Sequence, residues 1–274
     1  MPVVSPKREY KSIQVNASGY NTRLQKGGAL LDDMRLLVRS WQDGDPCDQK
    51  HQAIVENILA KHTRARALDT FNRTFIPRYV NGTPKNAWKL LRELEDRNCP
   101  IEILRPIYYW VTAKNEQLLY EFVVEELIEI SKNPLQDVAV PVVAKWLQSK
   151  IAKVDKSWTT TVSQKVARGL LASLRDFGIL EGASKKKLAP TYIPIESFAY
   201  LAFQLYKSGV TSQKLLVHPD WQLFLFPSLL VERMFLEADR RGLLCYNSAG
   251  KIVRIEFSAT NDGELADVIA SRSN

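Results

Sequence analysis

The amino-acid sequence predicts an all-α, mainly helical protein built from helix-turn-helix and winged-helix modules with short β-hairpin wings. Apolar residues recur at helical spacing as far as Gly178. Between residues 135 and 194 the order becomes helix, turn, helix, hairpin, which is the order of a winged helix. Net charge is concentrated in two windows, the footprint of a polyanion binder. With 274 residues, 45% of them hydrophobic, there is material for one large domain or two to three small ones. The punctuation divides the chain into an N-terminal helical domain (1–134) with a helix-turn-helix at about 49–76, a winged-helix domain (135–194) and a C-terminal helical region (195–274).

In the first block, "GGALLDDMRLLVRSWQ" places Leu30, Met34, Leu37 and Trp41 on one face, behind a Gly27-Gly28 breaker. "GDPCD" ends that helix, and a second, Gln49 to Lys61, stacks Ile54, Ile58 and Leu59. A third starts near Ala65 with Leu68, Phe71 and Phe75 on its apolar side. It is expected to stop at Ile76, because the residue before Pro77 is disfavoured as helix. In "NGTPKNAWKLLRELED", Thr83 is the expected cap and Pro84 the first helical residue. "PIEILRPIYYWVTAKNEQLLYEFVVEELIEISK" supplies two more helices up to the Lys132-Asn133-Pro134 break, with "EFVVEELIEI" as a solvated acidic face.

In the second block, "DVAVPVVAKWLQSKIAKV" is a helix that turns Val142, Val143, Trp146 and Leu147 toward a core. The next helix opens at Thr161-Val162-Ser163-Gln164, a capping-box pattern, and closes at Gly178, suited to the left-handed position past a helix end. Val162, Val166, Leu170, Leu174 and Phe177 form its apolar stripe. Thr161, Gln164, Lys165, Arg168, Ala172 and Arg175 lie opposite. "ILEGASKKKLAPTYI" then reads as strand, polar turn, strand. The tail repeats the order more faintly: helices in "IESFAYLAFQLYKSG" and "SLLVERMFLEADRRG", then a hairpin turning at Asn247 to Gly250. The outer face of that last helix mixes Glu232, Glu237 and Asp239 with Arg233, Arg240 and Arg241. Such a mixture suits packing or an interface better than DNA.

Most chemistry is not encoded. Cys47, Cys99 and Cys245 are isolated and odd in number, which excludes a disulfide framework and zinc spacing. His51, His62 and His218 have no ligand partner at i+3 or i+4, and no phosphate loop, dinucleotide fingerprint or nucleophile elbow occurs. No catalytic residue, metal site or cofactor is therefore expected. The apolar run from Leu215 to Leu236 is broken by His218, Pro219, Asp220, Gln222 and Pro227, and "MPVVSPKREYKSIQV" lacks a signal-peptide core. A cytoplasmic protein without membrane association is expected.

The charge is more telling. Lys61 to Arg92 holds eight Lys and Arg against Asp69 alone, and Lys150 to Lys187 holds nine against Asp155, Asp176 and Glu181. A major groove admits one helix, whose first turns meet base edges, so a reading helix needs small polar residues early and Arg, Lys or Gln outward. Two helices qualify. The first offers Thr63, Arg64, Arg66, Thr70 and Arg73; the second offers Thr160, Thr161, Gln164, Lys165 and Arg168, with Lys185, Lys186 and Lys187 in the wing. Gln164 and Arg168 are best placed for bases. A solvated basic face explains either helix alone; the pair, with a lysine wing behind one of them, favours double-stranded DNA. An RNA binder and a protein-interaction scaffold remain the alternatives.

The segments "GGALLDDMRLLVRSW", "ENILAKHTRARALDTFNRTFIPRY", "LRPIYYWVTAKNEQLLYEFVVEEL" and "TTTVSQKVARGLLASLRDFGIL" resemble, in order and spacing, the BrxA family of bacteriophage-exclusion (BREX) defence systems. The resemblance spans about Tyr20 to Ile193. It implies a small, non-enzymatic helical accessory protein that binds double-stranded DNA beside the system's methyltransferase, ATPase and phosphatase-like components. The same family has been likened to RNA-binding antitermination proteins and sometimes labelled an inner-membrane protein, a label that the broken apolar runs contradict.

Overall fold

A 3-10 turn, Arg23–Lys26, feeds helix α1 (Leu31–Ser40). The computed structural model describes residues 19–26, 28–44, 55, 57–59, 61, 63–133, 136–154, 156–190, 192–250 and 252–273. Most of the helix expected from Gln49 to Lys61, together with Cys47, His51 and His62, lies outside them, so the first half of the expected helix-turn-helix is not described. Met34 and Leu37 of α1 and Trp41 just past its end are buried, as their spacing predicts, while Leu30 ahead of the helix is half-buried.

Helix α2 (Arg64–Thr70) runs without a break into a π-helical segment, Phe71–Val80. This corrects the expected stop before Pro77. Proline's ring collides with the carbonyl four residues back in an α-helix, and the wider π turn relieves that collision. The segment lays Trp41, Phe71, Phe75, Tyr79 and Tyr108 in a column, with neighbouring rings 5.5, 5.9, 5.7 and 5.8 Å apart. Helix α3 (Ala87–Glu95) starts later than its expected cap; Thr83 instead donates its N–H to Asn115 Oδ1, at 2.7 Å.

Helix α4 (Ile101–Asn115) is the axis of the core, with every residue from Pro106 to Ala113 buried. After Glu116 the chain turns into α5 (Gln117–Glu121), a π segment (Phe122–Leu127) and α6 (Ile128–Ser131). The acidic face here is only partly solvated. Glu121 is buried, accepting from Tyr20 Oη at 2.7 Å and facing Lys150 Nζ at 3.0 Å.

Helix α7 (Val140–Ala152) buries Val143, Trp146 and Leu147, but Val142 is 54% exposed and not part of the core. Helix α8 (Thr160–Asp176) packs closely on α7, and hairpin β1 (Leu180–Glu181) with β2 (Lys187–Leu188) follows. The tail comprises α9 (Ile195–Lys207), α10 (Ser212–Leu216), a 3-10 turn (Pro219–Phe224), α11 (Ser228–Arg240), hairpin β3 (Cys245–Ala249) with β4 (Ile252–Glu256), and α12 (Asp262–Ser273). The second hairpin pairs as far as Ala249 with Ile252, so Asn247 and Ser248 are strand and not turn. Helix makes up 65% and strand 6%, two small antiparallel hairpins, which bears out the mainly helical class.

Asp220, 1% exposed, ties the tail to the core: it accepts from Trp110 Nε1 at 2.7 Å, Lys114 Nζ at 3.1 Å and Tyr120 Oη at 3.3 Å. His218 is a capping group here, its Nδ1 accepting the Asp220 N–H, and burial lowers its pKa.

The first test concerns Gly169, in the middle of α8. A Cβ there would collide with the backbone carbonyl of Leu24, in the 3-10 turn on which the helix rests. In a helix interior, Gly→Ala ordinarily stabilises by roughly 0.5–1 kcal/mol. Here the sign should reverse, because a backbone carbonyl cannot swing aside, and overpacking costs about 1–3 kcal/mol. A G169A protein that melts above the wild type would show that the turn does not sit against this helix.

Candidate nucleic-acid interface

The cap of helix α8 lies two residues earlier than the capping-box pattern implies. Thr159 is the cap, its Oγ1 accepting from Val162 N at 3.3 Å, so Thr160 and Thr161 are exposed first-turn residues rather than caps. The helix closes as expected: Gly178 adopts φ 79°, Gly178 N donates to Arg175 O and Ile179 N to Leu174 O.

Val166, Leu170 and Leu174 are fully buried and Phe177 is nearly so, while Val162 is half-buried. Ser163, Ala167, Gly169, Leu171 and Ser173 are buried as well, since the 3-10 turn Arg23–Lys26 covers a second flank. What remains outward is a narrow stripe. Thr160, Thr161, Lys165, Arg168 and Arg175 are exposed, and Gln164 and Ala172 half-exposed. Arg175 is engaged by Asp176 at 2.7 Å. Lys165 and Arg168 form no ion pair or side-chain hydrogen bond among the described residues.

The hairpin after α8 carries the three lysines, but not as one tip. Lys185 is exposed. Lys186 is half-buried: its Nζ donates to Ala183 O at 2.8 Å, and its carbonyl accepts from Val138 N at 2.7 Å. Lys187 is the first residue of β2, paired with Glu181 across the ladder. The Val138 bond attaches the segment ahead of α7 to the hairpin.

The first basic window is mostly spent on structure. Lys61 pairs with Asp33 at 2.5 Å, Arg78 with Glu116 at 2.8 Å and Lys89 with Asp43 at 2.7 Å. Arg92 donates to the carbonyls of Val38 and Trp41, both at 2.6 Å. Of the candidate contacts on α2, Thr63 is the cap, accepting from Arg66 N. Thr70 is 7% exposed and its hydroxyl donates to Arg66 O, which removes it from the outward face. Arg73 meets Asp69 at 3.0 Å, and Lys26 also pairs with Asp69 at 2.9 Å. Arg64 and Arg66 stay exposed.

The second window keeps more of its cations unpaired. Lys150 is half-buried against Glu121 and Glu125; burial opposes its charge, but hydrogen bonds to the two carboxylates hold its pKa above the usual range. Lys153, Lys165, Arg168, Lys185 and Lys187 are exposed without ion pairs among the described residues. The 3-10 turn links the two candidate helices, with Leu24 against Gly169 and Lys26 on Asp69.

Residues 18–204 match the family model for BrxA. The chain belongs to the BrxA family. Membership gives it a role associated with the BREX system of phage defence, in a family of accessory proteins that is no known enzyme class. The BrxA match extends past the hairpin into α9, and residues 205–274 lie beyond it. A crystal structure of an uncharacterized protein from Magnetospirillum magneticum is similar in fold, with a TM-score of 0.54 at 15% identity over 75% of this chain and 98% of that one. No curated protein matches the chain significantly. No helix among the described residues is long and apolar enough to cross a membrane.

Proposed function

We propose that this BrxA-family protein binds double-stranded DNA through α8 and the β1–β2 hairpin, used as a winged helix, and serves BREX defence in the cytoplasm by recruitment or scaffolding rather than catalysis. One observation carries the reading. After folding, five exposed cations without ion pairs among the described residues (Lys153, Lys165, Arg168, Lys185 and Lys187) lie on α8, the α7–α8 connection and the hairpin, while those of the first window are mostly paired. The order of elements supports it too, because a winged helix sets its hairpin beside the groove its second helix enters. Gln164 and Arg168 are the base-facing residues, Thr160, Thr161 and Lys165 flank them, and Lys185 and Lys187 hold phosphates. Thr63, Arg64 and Arg66 form a secondary contact; Arg73 contributes less, being already paired. The methyltransferase, ATPase and phosphatase-like components are the partners such a protein would bring to DNA.

Fluorescence anisotropy with a short duplex tests this. Four phosphate contacts, from Lys153, Lys165, Lys185 and Lys187, would give a log-affinity against log-salt slope of about −3.6, or roughly a 150-fold loss between about 50 and 200 mM salt. The variant K185A/K186A/K187A should shallow that slope by about 2 and weaken all duplex sequences alike, since phosphates carry no base identity. An unchanged slope in the variant returns the hairpin to a solvated loop. Preference for a single-stranded RNA competitor over the duplex replaces DNA with RNA.

A further inference from the structure

Helix α11 buries Val231, Phe235 and Ala238 and presents a different set outward: Leu229 is 62% and Leu236 42% exposed, and between them stand Glu232 and Arg233. Scattered exposed leucines need no explanation. This set is not scattered. At 100° per residue the four lie within about 100° of arc, and their spacing, Leu-x-x-Glu-Arg-x-x-Leu, reads the same from either end except that the acid and the base exchange places.

That exchange is what an antiparallel two-fold axis requires. In an isologous contact, residue i meets residue j and j meets i. With the axis midway between Glu232 and Arg233, Leu229 of one copy meets Leu236 of the other, and Glu232 meets Arg233, twice over. Neither Glu232 nor Arg233 forms an ion pair among the described residues. Tyr246 Oη donates to Glu232 Oε1 at 3.1 Å, which fixes the carboxylate against its own hairpin and leaves Arg233 to come from outside. The mixed charge that makes this face poor for DNA is thus the pattern that fits itself.

We propose that α11 is a self-association surface whose occupant is the same helix of a second copy, packed antiparallel through Leu229 and Leu236 with reciprocal Glu232–Arg233 pairs. The surface is independent of the DNA-binding reading and lies beyond the part of the chain that matches the family.

A contact of this size gives weak, concentration-dependent association. In sedimentation equilibrium of the full chain, the weight-average mass should climb from one chain toward two between about 5 and 500 µM. R233E sets acid against acid and E232R sets base against base, so each variant alone should remain monomeric over that range. Mixed in equal amounts, the two should associate, because every cross pair is then complementary. The double exchange E232R/R233E, which restores the pairing within one sequence, should dimerise like the wild type; it also serves as the control should a single variant fold poorly. A wild type monomeric throughout overturns the proposal, as does an R233E protein that dimerises normally or a mixture that stays monomeric. Monomeric wild type whose duplex affinity falls in R233E would assign the stripe to nucleic acid instead.

Discussion

The double reversal K165E/R168E is expected to lower affinity for a short DNA duplex about a hundredfold at roughly 100 mM salt. Both side chains are exposed, lie one helical turn apart on the outward stripe of α8 and have no ion-pair partner among the described residues. Loss of a contact of this kind costs about 1–3 kcal/mol. Tenfold in affinity corresponds to about 1.4 kcal/mol, so two such losses give about two decades. Stability should barely change, since exposed positions away from structural features stay within about 0.5 kcal/mol. Far-UV circular dichroism and the melting temperature therefore separate lost binding from lost fold. R73E is the internal comparison: its arginine already answers Asp69, so reversal there should cost less affinity. A K165E/R168E protein that binds duplex within about twofold of the wild type would falsify α8 as the contact helix.

The outward stripe of α8 could be read from spacing alone, because a 3.6-residue period separates the two sides of a helix wherever one side is buried. Spacing could not show the second covered flank. The Arg23–Lys26 turn comes from more than a hundred residues away, and only Gly169, Ala167 and Ser173, all small, hinted that something lies close there. Charge behaved the same way. Eight cations between Lys61 and Arg92 look like a footprint in the sequence, yet their acids, Asp33, Asp43 and Glu116, lie outside the window and reach them only in the fold. Thr70 was misplaced for a local reason: its hydroxyl can bond the carbonyl of Arg66, which allows it to sit in a buried position that its polarity argues against. Helix α12 and the short elements from Ser212 to Phe224 were not foreseen. The amphipathic contrast of α12 is weak, and segments of five or six residues carry less than two turns of pattern.

The largest stability effect is expected at Glu116, which no sequence pattern singles out. It is 2% exposed, at the break between α4 and α5, and holds two arginines at once: Arg78 Nε at 2.8 Å and Arg23 Nε at 3.1 Å. Arg78 is itself 1% exposed, so it has no water to turn to. Removing one partner of a buried pair typically costs about 3–5 kcal/mol, because the remaining charge is left uncompensated. E116A should therefore be destabilised by about that amount, enough to consume much of the about 5–15 kcal/mol that a native protein has in hand. Replacing both buried partners, as in R78M/E116L, should recover most of the loss, since apolar residues of similar volume are often neutral or better in place of a buried pair. Arg23 is less critical; about a quarter of its side chain reaches solvent, and it also donates to Asn115 O at 2.9 Å. It stands in the 3-10 turn that supports α8, so loosening Glu116 should also soften the seat of the proposed reading helix. Urea unfolding of the three proteins gives the energies, and hydrogen exchange across α8 gives the coupling. If E116A unfolds at the wild-type urea midpoint, the buried triad is not a keystone of this fold and α8 is held by its apolar stripe alone.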